Sequence, residues 1–211
     1  MAWIRLSPWE ARGTSIALGT FTAILGTLLY ARGGMIQWSV ALWVALPSLF
    51  IAPLAASWSE RFSPTAMRRA FGAAVLLGGV ALLLKDLFPQ GFGLPSIPFL
   101  LGVGVLEGLV TGVVGISGGP ILAPLFVLGL GMPQQLAQGC SLAARIPASL
   151  ASTWENWRCR HIRFDLLPSL MAGSLLGTWA GAHIALHLPE PVLRTLFALV
   201  LMGLALRYLR G

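Results

Sequence analysis

Six apolar runs of about 18–24 residues, each long enough for a helix to cross a hydrocarbon core ~30 Å thick, fill most of this chain. They lie at about 13–32, 36–57, 65–85, 136–157, 164–187 and 190–209, separated by short polar or basic joints. Backbone N–H and C=O groups within lipid must be satisfied inside the protein. The expected fold is therefore an all-α integral membrane protein, a polytopic helical bundle. At 56% hydrophobic, 10% charged and a mean hydropathy of +0.81, the 211 residues are too apolar for a soluble domain.

The net charge of +7 does not point to nucleic acid, because the basic residues stand singly between apolar runs rather than on one face. They read as topology anchors. Cys140 and Cys159 have neither metal nor redox spacing. No secretory signal is apparent in residues 1–12, and no Walker-type lysine motif is present, so direct ATP use is not expected. No cofactor is expected. The expected partners are a small solute and the bilayer.

A seventh apolar stretch, 98–131, is too long for a simple span: fully helical, it would be about 50 Å. Near its middle lies Gly112-Val113-Val114-Gly115-Ile116-Ser117-Gly118-Gly119-Pro120, which breaks the helix. Non-helical backbone at that depth is tolerated only in protein or beside a cavity, and transporters build substrate sites this way. The stretch is either one broken span or a re-entrant hairpin. A hairpin places Arg5, Arg12, Arg61, Arg68, Arg69, Arg158, Arg160, Arg163, Arg207 and Arg210 on one side, against Arg32, Lys85 and Arg194 on the other. That is 10 to 3, with Arg145 inside a span; a single crossing gives roughly 7 to 6. The positive-inside rule favours the hairpin, with the N-terminus and the Arg158–Arg163 joint cytoplasmic.

The chain also matches itself at an offset of 126 residues. Gly13-Thr14-Ser15-Ile16-Ala17 aligns with Gly139-Cys140-Ser141-Leu142-Ala143, Arg32 with Arg158, Ser48-Leu49 with Ser174-Leu175, and Phe71 with Phe197. Two repeats are expected, 1–95 and 96–211, with the inverted topology of transporters. The second begins with the broken helix; the first has no counterpart to it before Ser7.

These motifs resemble the TauE/SafE family of membrane transporters, the sulfite exporter or anion permease-like proteins. The resemblance rests on Gly108-xxx-Gly112-xx-Gly115-Ile116-Ser117-Gly118-Gly119-Pro120 with Pro124, then Gly131-Met132-Pro133 and Gly139-Cys140-Ser141-Leu142. Gly177-xxx-Gly181-Ala182, Leu188-Pro189-Glu190 and Leu193-Arg194-xx-Phe197 complete it. Ser117 stands where the family usually has glycine, and the first repeat lacks the glycine motif. The chain is read as a truncated product, as carrying a mis-assigned start, or as a reduced member that restores its site as a homo-oligomer. The resemblance implies a multi-pass protein of the cell (inner) membrane, not an enzyme. It also implies transport of small sulfur-containing anions such as sulfite or sulfonates.

The candidate substrate residues are Gly115, Ser117, Gly118, Gly119, Pro120, Ser141 and Arg145. At the start of the second half-helix, backbone N–H groups of the glycine run and the helix dipole suit an anion, and Ser117 adds a hydroxyl. Arg145 lies mid-span, where a cation faces a cavity or a partner. It either neutralises substrate as a fork of donors or pairs with Glu107. Glu107 is also the only candidate for a proton relay. Ser141 and Cys140 are helix-start residues that can also line the site. Gly108 and Gly112 read better as packing positions. Glu155 and Asn156 read as interfacial, and His161 as part of a basic cytoplasmic joint.

Two other readings stay open. Gly115-Ile116-Ser117-Gly118 matches the short serine motif of rhomboid intramembrane proteases, and His183 is a candidate base for Ser117. The other is a non-transporting membrane assembly subunit.

Overall fold

The computed structural model describes residues 6–58, 63–87, 97–114 and 119–210. The described residues form α1 (Pro8–Arg32), α2 (Trp38–Trp58), α3 (Pro64–Leu83), α4 (Ile97–Val114), α5 (Gly119–Gly129), α6 (Gln134–Arg158), α7 (Leu167–His187) and α8 (Glu190–Arg210), and no strand. The sequence marks the start of α1 plainly. The Ser7 hydroxyl accepts from the Glu10 N–H at 3.2 Å, and the Glu10 carboxylate accepts from the Ser7 N–H at 2.9 Å. This capping box satisfies two of the donors that a helix start leaves open.

The six expected spans all form helices in place. Among the described residues, three helical stretches, Trp9–Arg32, Trp38–Trp58 and Glu190–Leu209, are long and apolar enough by length and composition to cross a membrane. α6 falls short because it is the inner helix and carries polar groups inward: Gln134, Gln135, Ser141, Ser149, Ser152 and Asn156 are buried. It touches α1, α2, α4, α5 and α8. α3 opens with Arg68 and Arg69, and α7 carries two histidines and three glycines. The outer surface is apolar, with Leu77 71% and Leu176 69% exposed, as a lipid-facing surface requires.

Three glycines orient α4. Gly104 lies against Val44 and Pro47, Gly108 against Ile51, and Gly112 against Ala52 and Ala55, so α4 runs parallel to α2. A Cβ at Gly104 or Gly112 would stand 2.3 Å from a backbone oxygen of α2. These are packing glycines, which let two helix backbones approach. Gly129, at the end of α5, lies against Phe99, near the start of α4. α5 has therefore returned to the end from which α4 set out, and the segment re-enters. α5 is deeply buried through Leu122, Ala123, Phe126 and Val127.

The hairpin gives the bundle two unlike ends. One carries Arg12, Arg68, Arg69, Arg158, Arg160, Arg163 and Arg207, joined by contacts such as Arg163 to Glu10 at 3.7 Å and Arg68 over the Tyr208 ring at 5.9 Å. The opposite end carries a compact ion-pair group. Arg194 meets Asp86 at 2.6 Å and Glu190 at 3.3 Å, while Lys85 meets Glu190 at 3.2 Å and donates to the Met132 carbonyl at 3.2 Å. This ties the turn after α3, the turn after α5 and the start of α8 together.

Gly108→Leu is expected to force α4 from α2 and destabilise the fold by about 1–3 kcal/mol. Gly102→Ala, where a Cβ meets nothing within 4 Å, is expected to be neutral or slightly stabilising. Thermal unfolding of both variants in detergent checks the contrast.

Candidate functional site

Between α1, α5, α6, α7 and α8 lies a cavity of about 550 Å³. Gly119 and Pro120, the first two residues of α5, line it, so the start of that helix borders the space. Three residues of α6 at helical spacing, Gln138, Ser141 and Arg145, form the facing wall. Tyr30 of α1 and Thr178 of α7 add hydroxyls, and Phe197 and Val200 of α8 add apolar surface.

Of the residues expected at a site, the structure brings together Gly119, Pro120, Ser141 and Arg145. Gly115, Ser117 and Gly118 lie outside the described residues. Ser141 serves differently from a free donor: its hydroxyl proton is taken by the Gln138 backbone carbonyl at 2.9 Å, which leaves the oxygen only as an acceptor. Arg145 lines the cavity, and it also feels the attraction of the Glu107 carboxylate on α4. Glu107 is 1% exposed and accepts a hydrogen bond from Thr111 Oγ1 at 2.9 Å.

Tyr30, Gln138 and Thr178 were not expected. Gln138 was within reach of sequence reasoning, since it stands one helical turn before Ser141 and two before Arg145. Nothing in the sequence points to Tyr30. Its hydroxyl donates to Gln138 Oε1 at 2.5 Å, which fixes the amide and turns its NH₂ group away from that bond.

A smaller cavity of about 210 Å³ lies at the arginine-rich end, lined by Trp9, Arg12, Ser57, Glu155, Asn156 and His161 among others. The Arg12 guanidinium donates to the Gly112 carbonyl in the last turn of α4. Glu155, Asn156 and His161, read from sequence as interfacial or anchoring residues, thus share a cavity.

The proposed protease base lies elsewhere. His183 is exposed on α7, stacked on Trp179 with ring centroids 5.5 Å apart, and does not line the larger cavity. Ser117 lies outside the described residues.

A family model described as "Sulfite exporter TauE/SafE" matches residues 1–82 and 100–211. The chain belongs to the sulfite exporter TauE/SafE family. It is 24% identical over 196 residues to the "Probable membrane transporter protein YdhB" of Bacillus subtilis (strain 168), covering 88% of this chain and 78% of that protein. It is 29% identical over 85 residues to "Sulfite exporter TauE/SafE family protein 3" of Arabidopsis thaliana, covering 40% of this chain and 18% of that protein. No solved structure matches it at a significant level. As a TauE/SafE protein the chain is a membrane transporter and not an enzyme, which removes the serine protease reading.

Tyr30→Phe is expected to lower stability by about 1 kcal/mol, because it leaves the Gln138 carbonyl without its donor. In a double-mutant cycle with Gln138→Leu, the second change should cost clearly less in the Tyr30→Phe background. Thermal unfolding of the four proteins measures this coupling.

Proposed function

We propose that this chain is a multi-pass permease of the cell (inner) membrane that moves small anions by alternating access around the α4–α5 hairpin. Sulfur-containing anions such as sulfite or organosulfonates are the substrates this reading favours, because the names of the family and of one relative specify sulfite export. One observation carries the proposal. Arg145, a cation in the middle of an inner helix, and the start of α5 border one cavity. Both are sources of positive potential, one a guanidinium with planar donors, the other the positive end of a helix dipole.

The remaining wall supports the same substrate class. The Gln138 amide offers neutral N–H donors, and Glu107 balances Arg145 when no anion is bound. The arginine-rich end is the cytoplasmic one on the positive-inside rule. The larger cavity then lies toward the opposite face, because its α1 and α8 residues, Tyr30 and Leu193, stand near the turns at that end.

A two-repeat organisation, 1–95 and 96–211, belongs to this proposal. α1 and α6 start and end 126 residues apart, and α3 and α8 start 126 apart, which supports that register. α7 starts three residues later than α2 at that offset.

In proteoliposomes loaded with the purified chain, Arg145→Ala is expected to weaken uptake of radiolabelled sulfite about 10–100-fold, the worth of a charged hydrogen bond. Arg145→Lys should restore part of it, since a lysine keeps the charge and loses the fork. Unchanged uptake in both variants removes Arg145 from the site. No flux by the wild-type chain favours the assembly-subunit reading.

A further inference from the structure

We propose that the smaller cavity at the arginine-rich end is a second station for the transported anion, with Arg12 as its cation. The inference rests on the permease reading and extends it to a site on the opposite face.

Position argues first. Arg12 lines the smaller cavity and bonds to Gly112 O, in the last turn of α4. Gly119 and Pro120, at the start of α5, line the larger one. The start of α5 therefore borders one cavity, while α4 is tied to the other through the Arg12 side chain that lines it.

The chemistry fits an oxyanion. A guanidinium carries five donors and a charge that no hydrogen bond removes. His161 adds a ring N–H, the Asn156 amide is held by its bond to the Ser152 carbonyl at 2.8 Å with a second N–H left over, and the Ser57 hydroxyl on the same wall donates to the Leu54 carbonyl at 2.8 Å. Arg158 and Arg160 stand in the same joint and raise the local positive potential, which gathers anions. Glu155 is the opposing charge on this wall.

The cavity is also firmly built. The Arg163 N–H donates to Thr14 Oγ1 at 3.1 Å, and the Arg163 side chain holds Asp165 at 2.7 Å. The His161 ring stacks on Trp9 with centroids 6.1 Å apart, and its carbonyl sits so close to Gly13 that a Cβ there would approach to 2.4 Å. Arg12 meets the C-terminal, negative end of α4, so an anion on Arg12 competes with the Gly112 carbonyl. Filling this station thus loosens the last turn of α4 and couples occupancy to the hairpin.

Cys159 supplies the test. It is exposed and lines the cavity, whereas Cys140 is buried. In the full chain carrying Cys140→Ala, an anionic methanethiosulfonate reagent should modify Cys159 about 10-fold faster than its cationic counterpart. Methanesulfonate should protect the thiol. Arg12→Gln should abolish the preference and the protection, Arg12→Lys should keep both, and Glu155→Gln should strengthen protection. In sided flux measurements, Arg12→Gln should raise KM at the arginine-rich face and leave KM at the other face unchanged. Equal reaction of the two reagents, no protection, or an equal KM change at both faces overturns the proposal. A wild-type chain that moves no anion defeats the permease reading instead, while the labelling arms still decide whether this cavity takes one.

Discussion

The contact between three glycines of α4 and the backbone of α2 is what the rest of the structure depends on. A helix that turns back inside a membrane leaves backbone groups that lipid cannot satisfy, so protein must surround it. Gly104, Gly108 and Gly112 bring α4 onto α2 with no α4 side chain between, and α5 folds back inside the bundle beside them. Phe126, Leu122 and Val127 then fill the interior from α5. Because the segment returns, the turns after α3 and α5 and the start of α8 meet at one end, where Arg194, Asp86, Lys85 and Glu190 lock together. Arginine collects at the other.

The same hairpin determines the electrostatics of the site. The first residues of the returning half-helix, Gly119 and Pro120, line the cavity that Arg145 also lines. A lone cation there would be costly, and Glu107 on α4 supplies the counter-charge from the other half of the hairpin. On the proposed reading, an incoming anion shares this guanidinium with the Glu107 carboxylate. At the arginine-rich surface, the Arg163 guanidinium, through its hydrogen bond to Asp165, holds that carboxyl below the usual carboxylate range. This clamp contributes above the ordinary carboxylate pKa of ~4 and is lost only as pH falls through the lowered value. It therefore stays closed at neutral pH.

Much of this was legible in the chain. Run lengths place the helices, and the arginine asymmetry favours the re-entrant path that the Gly129–Phe99 contact displays. Arg145 and the Gly119–Pro120 start of α5 stand out because a charge and a helix break are both anomalous in an apolar run. What the sequence conceals is pairwise geometry. Tyr30 carries no local signal, since its role arises from a bond to a residue 108 positions away. Glu155, Asn156 and His161 look like ordinary interfacial residues until the joint after α6 folds over the first turns of α1. α6 is less apolar than a lipid-facing span because other helices, not lipid, cover it.

The central claim is that Arg145 and the N-terminus of α5 together form an anion site. Selenite, the heavier analogue of sulfite, tests it by anomalous diffraction from crystals of the protein. The account predicts a selenium peak in the larger cavity, with its oxygens within hydrogen-bonding distance of the Arg145 guanidinium and of backbone N–H groups at the start of α5. A peak found elsewhere, with that cavity empty at saturating selenite, would contradict it.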